Sequence, residues 1–335
     1  MAGHSILPIF IPHAGCPNDC VFCNQRAISG HLSVPTPQDV SDEVTAALAR
    51  LDASVAPELA FYGGSFTAIS PEAQTGYLRA VQPFLANGRL SSVRVSTRPD
   101  AIDAETLQRL SAFGVRTIEL GAQSMDDAVL RLARRGHTAE DTVRAVQLIQ
   151  AAGFSLILQM MVGLPGDSPA SVLATGRAIA ALRPDGVRIY PVAVLRGTAL
   201  AELARSGAYQ PLALDDAVEQ SAELIALFSA AGIPIIRIGL NPSESLHADV
   251  LAGAYHPALG ELCYARWYRK RMCALAERLM PAERLVFFVH PARLSVAAGQ
   301  HRSNLAALRA QFPALKTISL YGADGDRDAI RVERG

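Results

Sequence analysis

Three of the five cysteines in this 335-residue chain fall close together near its start. Cys16, Cys20 and Cys23, in "HAGCPNDCVFC", have the spacing C-x3-C-x2-C. Thiolates so closely spaced fold a loop around a metal, because they are strong ligands for soft and borderline ions. Two arrangements are open. In one, zinc is held by Cys16, Cys20 and Cys23, with His13, Cys263 or Cys273 as a fourth ligand closing a structural site. In the other, the three thiolates each hold one iron of a [4Fe–4S] cluster, and the fourth iron stays open. Zinc ligands usually arrive as two short paired spacings, and only one triplet is present here.

Such a loop needs a scaffold, and the chain alternates short apolar strands with helical patterns. "ILPIFIPH" reads as a strand followed by a helix over 37–51. "ELAFYGG" precedes a helix over 71–85, "SVRVSTR" one over 103–113, and "RTIELGAQS" helices over 125–134 and 138–152. "SLILQMMVGLPGD" precedes a helix over 169–182, "GVRIYPVAVL" helices over 198–205 and 215–231, and "IPIIRIGL" adds a seventh short strand. Repeated βα units predict a parallel sheet. With no G-x-G-x-x-G turn, a partial (β/α)6 TIM-type barrel fits better than a dinucleotide-binding sheet. Barrel chemistry sits at the C-terminal ends of strands. There the chain places the cysteines, then Gly63-Gly64-Ser65, then Ser96 and Arg98, then Gly121, Gln123 and Ser124, then Gln159, then Ala193. One such turn would be an ordinary βα loop; their repetition at one rim suggests a pocket.

The same residues carry a resemblance. C-x3-C-x-Φ-C, with Phe22 before the last cysteine, resembles the cluster motif of the radical S-adenosylmethionine (SAM) superfamily. The resemblance implies a [4Fe–4S] cluster on Cys16, Cys20 and Cys23, with the fourth iron chelated by the methionine part of SAM. The reduced cluster then cleaves SAM to methionine and a 5′-deoxyadenosyl radical, which abstracts hydrogen from a substrate. "YGGSF" resembles the glycine motif that meets the SAM amino group, implying roles for Gly63, Gly64 and Ser65. "STRPD" is similar to the motif near the SAM ribose and carboxylate, with Ser96 where relatives often have Glu, and Arg98. "GAQSMDDAVLRLARRGHT" resembles a segment of coproporphyrinogen dehydrogenase-like and Elongator-like members and matches Gln123 and Arg135 to SAM contacts. Gln159 matches a position that is often Asp, and Ala193 a backbone contact to adenine. The match covers about residues 7–240. "IFIPHAGCPNDCVFCNQ", "STRPD" and "RGHT" look most like the radical SAM part of the Elongator catalytic subunit and its short bacterial relatives, which implies wobble-uridine chemistry on tRNA. No acetyltransferase domain like that subunit's is expected in these 335 residues, so its acetylation chemistry is not carried over.

The reading therefore divides the chain into a radical SAM core over 1–240, a helical extension over 241–280 closing the substrate side, and a small domain over 281–335. The last reads strand "LVFFVH", helix "PARLSVAAG", turn "QHR", helix "SNLAALRAQF", strand "KTISLYG". It resembles a K-homology (KH) unit, where a G-x-x-G turn clamps a nucleic-acid backbone. Here Gly299 opens the turn and Arg302 replaces the second glycine. Residues 264–335 hold 13 Lys+Arg against 6 Asp+Glu, leaving 18 and 25 of the 31 of each sign to the rest. A basic tail on an acidic body predicts a polyanion contact. Arg266, Arg269, Lys270, Arg271, Gly299 and Arg302 are the candidate nucleic-acid contacts. Trp267 reads as core. His247, Tyr255 and His256 read as structural, with an acid–base role as the alternative. Cys263 and Cys273 read as small buried hydrophobes.

With 50% hydrophobic and 19% charged residues, the composition is that of a globular chain. No apolar run long enough to span a bilayer and no signal peptide are seen, so no membrane partner is expected. Five cysteines do not form a disulfide framework, so a cytoplasmic location is expected. The expected function is a radical SAM enzyme acting on a tRNA base and supplied with electrons by a reductant such as flavodoxin or ferredoxin. The alternatives are a radical SAM oxidoreductase on a small molecule such as a tetrapyrrole, and a zinc-stabilised, non-enzymatic RNA-binding protein.

Overall fold

The computed structural model describes residues 5–16, 20–24, 28, 33–52 and 54–335. Parts of the cysteine segment (17–19, 25–27 and 29–30) thus lie outside the described residues, while all three cysteines lie within them. The elements run β1 (Ile6–Phe10), α1 (Pro37–Leu48), β2 (Glu58–Tyr62), α2 (Pro71–Ala86), β3 (Ser92–Thr97), α3 (Ala104–Ala112), β4 (Val115–Gln123), α4 (Asp127–Leu132), α5 (Ala139–Ala151), β5 (Ser155–Val162), α6 (Pro169–Ala181) and β6 (Gly186–Pro191). Then follow β7 (Ala193–Leu195), α7 (Ala199–Arg205), α8 (Leu214–Ala230), β8 (Ile235–Ile238), α9 (Glu244–Asp249), β9 (Val250–Gly253) and α10 (Leu259–Leu279). The C-terminal unit holds β10 (Arg284–Val289), α11 (Leu294–Ala298), α12 (Ser303–Gln311), β11 (Thr317–Gly322) and β12 (Ile330–Arg334).

Seven strands form one parallel sheet in the order β1-β2-β3-β4-β5-β6-β8. The sheet curls into the expected partial barrel, with helices around its outer face. Side chains alternate along each strand. On β3, Val93 and Val95 are fully buried towards the helices, while Arg94, Ser96 and then Arg98 take the other face. Helix starts follow from local chemistry. Thr36, Ser70 and Ser168 cap α1, α2 and α6, each followed by a proline whose fixed φ and missing N–H suit the first turn. Thr138 and Asp141 cap α5 reciprocally. Among the described residues no helix is long and apolar enough to cross a membrane.

The C-terminal unit is β-α-α-β as expected, with an addition. β12 pairs antiparallel with β10, so the sheet has the order β11-β10-β12. Its apolar face (Leu285, Phe287, Ile318) shares a core with Met272 and Ala276 of α10. Val289 and Ala297 join the main core beside Cys263, Trp267 and Tyr268. The expected boundary at 281 therefore falls between two parts that share α10. Asn304, at the start of α12, donates from its buried amide to the carbonyls of Ala265 (2.8 Å) and Ala297 (3.0 Å), which ties the turn to α10. Cys263 is fully buried, and that burial pushes its thiol up to about 12.

Candidate active site

A cavity of about 1050 Å³ opens at the C-terminal rim of the sheet. Cys16, Cys20 and Cys23 line it, as do Gly63, Gly64, Ser65, Ser96, Arg98, Gln123, Arg135, Gln159 and Ala193. Residues spread over 178 positions of sequence thus share one wall because every strand of a parallel sheet ends on the same side.

The cysteine loop is locked to the turn after β2. The Ser65 amide donates to the Ala14 carbonyl (2.8 Å), and the His13 amide to the Gly63 carbonyl (2.9 Å). A Cβ on Gly64 would stand 2.7 Å from the Ile11 carbonyl oxygen and closer still to that of Ala14. A Cβ on Gly15, where φ is 70°, would stand 2.7 Å from the Ile69 amide nitrogen. Glycine is needed at both positions for steric reasons. Gly64, the second glycine of the "GG" pair, thus has a packing role against the loop.

Two arginines organise the rim. Arg135 donates through Nη2 to the Gly121 carbonyl (2.8 Å) and through Nη1 to Cys20 Sγ (3.2 Å). Arg98, 2% exposed, donates to the Arg135 carbonyl (2.6 Å) and pairs with Asp100. Gln123 sits at a positive φ of 66°, and its Oε1 is buried without a hydrogen-bond partner among the described residues. Nearby, His137 faces the Ala122 carbonyl (3.2 Å); burial, helped by the Arg135 charge, pushes its imidazole down to about 4.

Soft thiolates suit iron–sulfur clusters, or zinc, better than they suit hard ions such as magnesium or calcium. Among the described residues, no three His, Cys, Asp or Glu side chains gather on a point where one ion could bind. A cluster asks instead for thiols spread around a void, each on its own iron. The unpartnered Gln123 oxygen on the cavity wall suits a bound polar ligand. Cys263 and Cys273, weighed as zinc ligands, sit on α10 away from the cavity wall; His13 lies on that wall.

Deeper in the lumen lies a charged network that the sequence reading missed. Arg94 bridges Glu58 (2.6 Å) and Glu119 (2.7 Å), and Arg188 reaches the same Glu119 (2.9 Å). The Tyr62 hydroxyl donates to Glu119 (2.9 Å) and accepts from Arg188 (3.0 Å). Burial raises the Tyr62 phenol, and the Glu119 charge adds to this. The signal was available: "ELAFY", "VRVS", "IELGA" and "VRIYP" each carry a charge in an apolar strand. Such a charge must be paired when buried.

The six candidate nucleic-acid contacts do not line this cavity. Arg266 pairs with Asp215 and Glu219, and Lys270 with Glu219 and Glu223, all on α8. Arg271 donates to the Asp328 carbonyl and stacks over Trp267, 4.5 Å from its ring centre. These three cations thus have partners within the chain. Arg302 is exposed in a left-handed conformation at the turn opened by Gly299. His256 accepts from the Ala258 amide (3.0 Å) at the start of α10.

The radical SAM superfamily profile matches residues 10–179, and that of the radical SAM C-terminal domain residues 184–270. The tRNA uridine(34) acetyltransferase of Dehalococcoides mccartyi is 31% identical over 46% of this chain and 38% of its own length. That of Methanocaldococcus infernus is 33% identical over 40% and 26%. Mouse Elongator complex protein 3 is 28% identical over 62% and 41%. The chain thus spans well under half the length of these curated relatives. Among solved structures, the archaeal Elp3 of M. infernus shares the fold with a TM-score of 0.65 and 22% identity, over 80% of this chain and 63% of that one. Coproporphyrinogen III oxidase from Escherichia coli follows with 0.52 and 21%, over 68% and 52%. None of these matches supports the KH resemblance of the C-terminal unit. A profile match over more than half the chain, on a partial barrel whose rim gathers the three cysteines, makes this protein an enzyme of the radical SAM superfamily.

Proposed function

We propose that the protein holds a [4Fe–4S] cluster on Cys16, Cys20 and Cys23, binds SAM on the adjacent rim and modifies a tRNA base. The observation that carries this reading is the convergence of the three thiols with Arg98, Gln123 and Arg135 on one cavity. The tRNA part draws its support from the relatives, whose names specify tRNA uridine 34. Bound together, the two groups supply one-electron chemistry: reductive cleavage of SAM and abstraction of a hydrogen atom from the substrate. The protein's own residues do the rest. Arg135 offsets thiolate charge at Cys20, Arg98 fixes the Arg135 backbone, and Gln123 offers an acceptor for an ammonium group. Gly63, Gly64 and Ser65 bring backbone close to the ligand, while Ser96, Gln159 and the Ala193 backbone add polar contacts. The electron comes from an external carrier such as flavodoxin or ferredoxin, since SAM cleavage needs a reductant.

Anaerobic reconstitution with iron, sulfide, SAM and dithionite, with and without bulk tRNA, tests this. 5′-Deoxyadenosine production stimulated by tRNA, with a new nucleoside in the digest, supports it. A colourless protein with one zinc and no sulfide would overturn the cluster assignment. Cleavage indifferent to tRNA would overturn the substrate assignment and favour a small molecule.

A further inference from the structure

Charges in the lumen do not balance. Glu58 and Glu119 are matched by Arg94 and Arg188. Arg237 is a further cation on the same cavity wall, and among the described residues it pairs with no carboxylate; its Nε donates to the Gly239 carbonyl (3.1 Å). The other acid on that wall, Asp249, faces Arg196. Arg237 and Arg188 are register partners on the neighbouring parallel strands β8 and β6, so both guanidiniums lie on one stretch of wall. Arg188 is 8% exposed, and its Nε is buried without a hydrogen-bond partner among the described residues. Tyr190, beside them, adds a hydroxyl.

A guanidinium without a counter-charge in a confined cavity attracts an anion more strongly than it would on an open surface. Its planar fork matches the oxygens of a phosphate or carboxylate. We propose that Arg237, backed by Arg188, anchors an anionic oxygen group of the substrate in the lumen, a nucleotide phosphate or a carboxylate. The inference rests on the reading above only in taking this cavity as the substrate's. The Glu119–Arg94 network holds Arg188 in place, so the anchor is preorganised. If the substrate is a tRNA base, the group is the phosphate of the nucleotide that enters the lumen.

The test is binding, read by 31P and 1H NMR titration on the anaerobically reconstituted protein. Uridine 5′-monophosphate, uridine and succinate are the probes. Uridine 5′-monophosphate is expected to bind more tightly than uridine, and Arg237→Gln to weaken it by about tenfold or more, the usual worth of a charged hydrogen bond. Arg237→Lys, which keeps the charge, should restore part of the loss. Arg237-dependent binding of succinate with no preference for the monophosphate supports the anchor and assigns it to a carboxylate. Equal binding of monophosphate and uridine with no succinate binding, or affinities indifferent to Arg237→Gln in a variant of unchanged melting temperature, would overturn it. Production of 5′-deoxyadenosine by the same wild-type sample without probe tests the radical SAM reading separately. Its failure would leave the anion result standing.

Discussion

Gly15 packs on the backbone of Ser65 and Ile69, Gly64 on that of Ile11 and Ala14, and neither has room for a methyl group. Gly64→Ala should therefore overpack the contact and lower stability by about 1–3 kcal/mol. Urea denaturation checks this, and iron content after reconstitution should fall with it. Of the rim residues, the cysteines were the most legible, because three thiols in one short loop have few structural uses. Arg135 could be placed only through a resemblance, since nothing in "LARRGHT" tells which arginine turns inward. His137 gives a pH prediction. Its folded value near 4 lies below the ordinary value of about 6.5. The unfolded chain therefore takes up the proton first, and stability that is present above about pH 6.5 is lost as the pH falls towards 4. The loss amounts to about 3 kcal/mol at most. Denaturation midpoints between pH 7 and 4 should show it, and His137→Gln, which cannot be protonated there, should flatten that part of the profile.

At the scale of elements, the parallel strands owe their legibility to continuous apolar residues, and the helices to capping residues at their starts. α1, α2 and α6 begin where Thr36, Ser70 and Ser168 precede a proline. β12 was missed because "DGDRDAIRVERG" reads as a charged tail. Its two-residue alternation, with Ile330 and Val332 turned to the core, is short. The lumen charges escaped notice because period-two alternation in a buried strand normally places apolar residues on both faces. The network makes β2, β3, β4 and β6 interdependent through Glu58, Arg94, Glu119 and Arg188. Arg94→Met should remove the cation that joins Glu58 to Glu119 and destabilise the protein by about 3–5 kcal/mol. The double variant Glu58→Gln/Arg94→Met should recover part of that loss in the same denaturation experiment.

Across the whole molecule, the segregation of charge along the chain is partly undone in space. The acidic α8 meets the basic α10, where Asp215, Glu219 and Glu223 neutralise Arg266 and Lys270. Composition alone could not show this, because it counts charges without their neighbours. α10 also supplies part of the C-terminal core, so deletion from Pro281 should expose Met272 and Ala276. The shortened protein is expected to bind a hydrophobic dye and to melt at least several degrees lower in a thermal scan. Point changes such as Arg302→Ala are therefore the sounder probe of RNA contact. The interlock between the cysteine loop and the turn after β2 also sets an order of events during synthesis. The thiols leave the ribosome well before Gly64 and Ser65, the residues that shape their loop, so the newborn chain carries ligands without a cradle. On the proposed reading, iron delivery would wait for β2 to pair with β1, and loading of the proposed cluster would report on folding, because the turn that shapes the thiol loop forms only once the barrel has begun.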